Sequence, residues 1–222
     1  MANCNCNCNP TDHNNPEAMA AAIRRNFESA DADTARDGIA WYADAEALIR
    51  ADAEHYGLPV STVAAVYAAC SINTSWAANR TMARKWLQYA TGKADHPGGL
   101  SAVQSRCERA IAEQPETFEH AFEIVLAGGD ARGSKVASFV SNFHGRADFV
   151  TVDRWAMVGA GLAETTVNSK GRVTPCDAHS KAPKGVKYDR IADAYRTVAA
   201  EYGIAPRDLQ AIVWVAVRGA AN

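Results

Sequence analysis

Two side chains that can do chemistry together stand at Lys135 and Asp153, eighteen positions apart in the stretch "GSKVASFVSNFHGRADFVTVDRWAM". The lysine follows Gly133 and Ser134, a glycine turn that leads directly into an apolar-periodic run. Such a turn points backbone N–H groups outward, where they can anchor a phosphate or sugar with the lysine beside them. An amine in that position is a candidate nucleophile. The aspartate opens the next helical run, "DRWAMVGAGL", where its carboxylate can bond an N–H of the first turn. Two readings follow: a catalytic couple, or a solvated lysine and a helix cap.

Other candidate motifs fail on their chemistry. "GGDARGSK" has the glycine spacing of a phosphate-binding loop, but Ser134 and Lys135 stand in the reverse of the order that puts lysine on phosphate and hydroxyl on magnesium. "GAGLAE" lacks a strand–helix–strand context for a dinucleotide. Cys4, Cys6 and Cys8 alternate with asparagine, too closely for paired-cysteine zinc ligation, and "CDAH" adds one Cys/His pair. No metal site and no cofactor is expected. Cys70, Cys107 and Cys176 show no framework spacing and are expected as free thiols.

The elements that must position the pair are helical. Periodicity of the 3.6 kind recurs along the chain, and strand alternation hardly at all. "NPEAMAAAIRRNFESA" carries a proline at a plausible first turn, and "TARDGIAWYADAEALIRADAEHYG" is a longer amphipathic run ending at Gly57. "PVSTVAAVYAACS" is apolar on nearly every side, as a helix in a domain centre must be. Asn73 and Thr74 break it before "SWAANRTMARKWLQYATG", a helix bearing Arg80, Arg84 and Lys85. Six further runs follow, so roughly ten helices fill the chain. The expected organisation is a flexible Cys/Asn-rich tail over 1–15 and a single all-α domain over 16–222, with two lobes drawn from non-contiguous helices. A basic loop is expected near 164–186, because residues 168–190 hold six Lys/Arg against two Asp among Gly, Pro and Ser.

The chain of 222 residues is long enough for one sizeable core. Its net charge of −2 excludes coating nucleic acid by bulk charge, but the distribution is uneven. Residues 1–60 hold ten Asp/Glu and four Lys/Arg, which leaves 15 acids and 19 bases for the rest. No apolar run suits a membrane span or an export signal, so a cytoplasmic protein without membrane contact is expected. The sequence does not disclose an oligomeric state.

In order and approximate spacing, residues 60–165 resemble the helix-hairpin-helix DNA glycosylase superfamily, which includes endonuclease III and the 8-oxoguanine glycosylases. "GSKVA" matches its Gly-x-Lys hairpin end, "VTVDRWA" its Val-Asp helix head, and the spacing between them also matches. "VAAVYAACSINTSWAANRTMARKWL" is similar to its early helix, loop and helix. The resemblance departs at the hairpin, where "GDARG" keeps only the last glycine, and at Trp155, where a histidine is common. The four-cysteine pattern of the iron–sulfur branch is missing, so no cluster is implied.

What the resemblance implies is a DNA glycosylase-like enzyme of base excision, a hydrolase cleaving the N-glycosidic bond of a flipped damaged or modified base, with or without AP lyase activity. Asp153 would stabilise positive charge developing on the sugar. Lys135 would attack C1′ and form a Schiff base. Asn73 would be the wedge left in the base stack and Trp76 a wall of the base pocket. Arg80, Arg84, Arg154 and the amides of Gly133 and Ser134 would meet DNA phosphates. Two alternatives stand beside this reading. One is a DNA base hypermodification enzyme on the same fold, and the other a non-catalytic helical DNA-binding module.

Overall fold

A computed structural model describes residues 12–72, 74–126, 135–167, 173–176, 183 and 185–218. Helix α1 (Pro16–Glu28) begins where the sequence places a helix-compatible proline: Pro16 occupies the first turn, and Asn15 before it accepts from the Ala18 amide as a cap. The long α2 (Ala32–Tyr56) follows, ending on a positive-φ Gly57 that a side chain would strain. The order continues α3 (Val60–Cys70), α4 (Trp76–Ala90), α5 (Ser101–Glu113), α6 (Phe118–Leu126), α7 (Lys135–Phe143) and α8 (Arg154–Gly159). Then come a ribbon of β1 (Thr165–Val167) and β2 (Val173–Pro175), and finally α9 (Val186–Tyr202) and α10 (Pro206–Arg218). The chain is mostly helical, as expected.

The backbone divides into two compact units, each built from non-contiguous segments. The first takes α1, the part of α2 up to Tyr42, Lys135, and everything from Ala147 onward. Its core is a single cluster in which Met19 and Ile23 of α1 meet Met157 of α8, Ile191, Tyr195 and Val198 of α9, and Leu209 and Val213 of α10. One hydroxyl ties a loop down. Tyr188 donates to the Val150 carbonyl at 2.8 Å and accepts from the Val152 amide at 3.0 Å, which fixes the approach to Asp153. Gly159 lies within α8 because a Cβ there would meet the Tyr195 hydroxyl and Val213 Cγ1, each at 2.5 Å. "GAGLAE" is therefore helix packing rather than a nucleotide turn.

The second unit holds the rest of α2, then α3 to α6, and α7 from Val136. Its centre is α3, buried from Ser61 to Cys70 and packed against α4, α5 and α6. An apolar helix with no polar face has to be enclosed in this way. Trp86 and Leu87 of α4, Cys107 and Ala110 of α5, and Ile124 and Val125 of α6 complete the core. Cys70, Cys107 and Cys176 are buried thiols outside any disulfide, with the Cys70 and Cys107 sulfurs 3.8 Å apart.

The region expected as a basic loop differs in one respect. Thr165–Val167 and Val173–Pro175 pair antiparallel with Thr166 opposite Thr174, because the β-branched residues of both segments favour extended backbone over loop. Much of its basic content falls at 168–172, 177–182 and 184, outside the described residues, as does the tail up to residue 11. No helix of the described residues is long and apolar enough to cross a membrane.

Candidate functional site

Asp153 caps α8. Its backbone is extended, and its Oδ1 accepts from the amides of Trp155 and Ala156, both at 2.9 Å. Both cap bonds fall on one oxygen and leave Oδ2 out of the cap. Lys135 is the first residue of α7 and is half-buried. Burial strips water from its ammonium and pulls its pKa below the usual lysine range, while the nearby Asp153 carboxylate pulls the other way. The two groups thus lie within electrostatic reach of one another, in the same unit. A desolvated amine beside a carboxylate can reach the neutral, nucleophilic form more readily than a solvated one. Tyr195 underlies this corner, its hydroxyl donating to the Ala156 carbonyl at 2.9 Å. Burial foremost, and the Asp153 charge after it, hold that phenol well above its ordinary pKa.

Gly133, Ser134 and Asn73 lie outside the described residues, so the turn before Lys135 and the expected wedge carry no structural account. Arg154 donates from Nη2 to the Pro175 carbonyl at 2.7 Å, which fastens α8 to the end of β2. Trp76 opens α4 behind the cap Ser75, whose Oγ accepts from the Ala78 amide. Its ring is half-buried, tilted against Tyr67 at 5.8 Å and Phe143 at 6.1 Å between centroids.

Arg80 and Arg84 lie one turn apart on α4 in the second unit. Arg84 is committed to an ion pair: Nε donates to Asp52 Oδ2 and Nη2 to Asp52 Oδ1, each at 3.1 Å. Sequence reasoning missed Asp52 and Tyr67 as its partners. A signal for Asp52 was present, since it falls beside Ile49 and Ala53 on the buried stripe of α2, where a carboxylate needs a cation or donor. Tyr67, inside an all-apolar helix, gave none.

Ser61 and His144 form a second unforeseen contact. His144 Nε2 lies 3.0 Å from Ser61 Oγ, and its Nδ1 lies 2.7 Å from the Val140 carbonyl. The Ser61 hydroxyl is also 3.2 Å from the Glu116 carbonyl, and Thr62 beside it bonds the Pro115 carbonyl. These bonds fasten the start of α3 to the turn before α6. Among the described residues no three His, Cys, Asp or Glu side chains gather to hold a metal ion.

The arrangement defines a mostly helical protein in which a helix-opening lysine and a helix-capping aspartate share one unit. The chain belongs to a family of unknown function (DUF7178), whose model matches residues 5–221. No curated protein and no solved structure matches it.

Proposed function

We propose that this protein is a DNA glycosylase-like enzyme of the cytoplasm, cleaving the N-glycosidic bond of a base flipped out of the stack. The feature that carries the reading is the placement of Lys135 at the start of α7, within electrostatic reach of the Asp153 carboxylate that caps α8. The resemblance of "GSKVA" and "VTVDRWA" to the glycosylase signature supports it from the sequence. In this chemistry the C1′–N bond breaks with its electron pair leaving on the base, and Asp153 stabilises the positive charge left on the sugar. Lys135, once deprotonated, bonds C1′ and passes a proton to the departing base; the C1′–O4′ bond then breaks with its electron pair on O4′, which takes up a proton from water, leaving a Schiff base from which strand cleavage can follow.

The test is to incubate the protein with duplexes that carry single damaged or modified bases, then separate free bases from nucleosides by mass spectrometry. Release of a free base, lost in Asp153→Asn, supports the proposal. A base altered in place moves the function to hypermodification, and binding with neither change moves it to a non-catalytic module.

A further inference from the structure

Asp52 is only 6% exposed, and two groups hold its charge there. The Tyr67 hydroxyl donates to Oδ2 at 2.5 Å, and the Nε/Nη2 edge of Arg84 grips both oxygens. A guanidinium fixed along one edge keeps its other edge in a set direction. Here that outer edge is open: the Arg84 side chain is 40% exposed. It forms part of a depression of about 540 Å³ lined by Ala77, Arg80, Thr81, Arg84, Lys85 and Gln88. Their spacing places all of them on one stripe of α4.

The stripe is strongly cationic. Among the described residues Arg80 and Lys85 have no hydrogen bond or ion pair, so only Arg84 of the three cations is compensated within the fold. Arg80 and Arg84 are also like charges four residues apart, an arrangement that weakens a helix. Thr81 and Gln88 add neutral donors, and no large apolar side chain lines the depression to suit an apolar partner.

We infer that this face of α4 seats the phosphodiester backbone of DNA. Arg84, aimed by the buried Asp52–Tyr67 couple, forks onto one phosphate, and Arg80 and Lys85 neutralise its neighbours. Asp52 and Tyr67 are positioning residues in this account. The inference rests on reading the chain as a DNA enzyme but requires no chemistry, so it can stand or fall separately.

The experiment is fluorescence anisotropy with a short labelled duplex of undamaged sequence over a range of NaCl concentrations. The wild-type chain is compared with an Arg80→Ala/Lys85→Ala double variant. Neither side chain bonds the described fold, so an unchanged Tm is expected to certify the variant. The slope of log affinity against log salt should become shallower by about 0.9 per phosphate contact removed, roughly eightfold in affinity per contact at about 0.1 M salt. Arg84→Lys, which keeps the charge and loses the fork, should weaken binding while leaving that slope nearly intact. A double variant that retains the wild-type slope, or a wild-type chain that does not bind the duplex, overturns the inference. Failure to release any base leaves these binding results untouched and counts against the enzymatic proposal alone.

Discussion

The Tyr67 hydroxyl donates a 2.5 Å hydrogen bond to Asp52 Oδ2 inside the second unit, joining the centre of α3 to α2 through a buried carboxylate. Burial first, and then the Asp52 bond and charge, hold the phenol above its ordinary pKa, so the tyrosine stays the donor. Tyr67→Phe leaves Asp52 with Arg84 as its remaining partner. The expected loss is about 1.5–3 kcal/mol, the range for a hydrogen bond to a charged group. Urea unfolding measures it, and a change below about 0.5 kcal/mol would show that the bond adds nothing.

Gly38 lies within α2, where an isolated glycine weakens a helix. The reason is close packing: a Cβ at this position would lie 2.6 Å from Ile212 Cα and 2.7 Å from Ile212 N on α10. Backbone atoms cannot rotate away as a side chain can. Gly38→Ala is therefore expected to destabilise by about 1–3 kcal/mol despite its better helix propensity. A rise in Tm would contradict this packing.

The contact between His144 and Ser61 predicts a pH dependence. Burial lowers the His144 pKa most, Arg50 and Arg146 lower it further, and the Val140 carbonyl and Glu119 oppose them. A histidine whose folded pKa is depressed stays neutral while the unfolded chain takes up a proton. Its contribution is therefore intact above the unfolded pKa of about 6.5 and is progressively lost as pH falls from there toward the folded pKa. Thermal unfolding of the wild type should show this loss, and His144→Gln should reduce it. Identical pH profiles for the two would remove His144 from the account.

Asp153 can be separated into cap and catalyst. Asparagine caps a helix about as well as aspartate, so Asp153→Asn should preserve stability to within about 0.5 kcal/mol. Asp153→Ala, which loses the bonds to Trp155 and Ala156, should cost about 0.5–2 kcal/mol. If the carboxylate is catalytic, both variants lose activity alike. Activity that follows stability instead of charge would make Asp153 a cap and nothing more.

The helices were largely legible because local signals coincide with burial. Pro16 marks the start of α1, Asn73 and Thr74 mark the sequence break before α4, and the largely apolar run from Val60 to Cys70 marks an enclosed helix. The ribbon was hidden because three-residue strands flank a stretch rich in Gly, Lys and Asn, where turn composition dominates. At the candidate site, Asp153 was legible as a cap from its place before "RWAM". The effect of Asp153 on Lys135 depends on folding that a spacing of eighteen cannot specify. Arg84 shows the same limit: its helix face follows from periodicity, but its ion pair spans residues 52 and 84, and the donor that completes it comes from the middle of an apolar helix.

The central claim is that Lys135 is a nucleophile toward C1′, and trapping its Schiff base tests this most directly. Wild-type protein is mixed with duplex DNA carrying an abasic site and treated with sodium borohydride, then analysed by denaturing gel and by peptide mass spectrometry. The account predicts a covalent protein–DNA species whose adduct maps to Lys135 and is absent in Lys135→Gln. A trapped species that persists unchanged in Lys135→Gln, or no trapped species with the wild type, would contradict it.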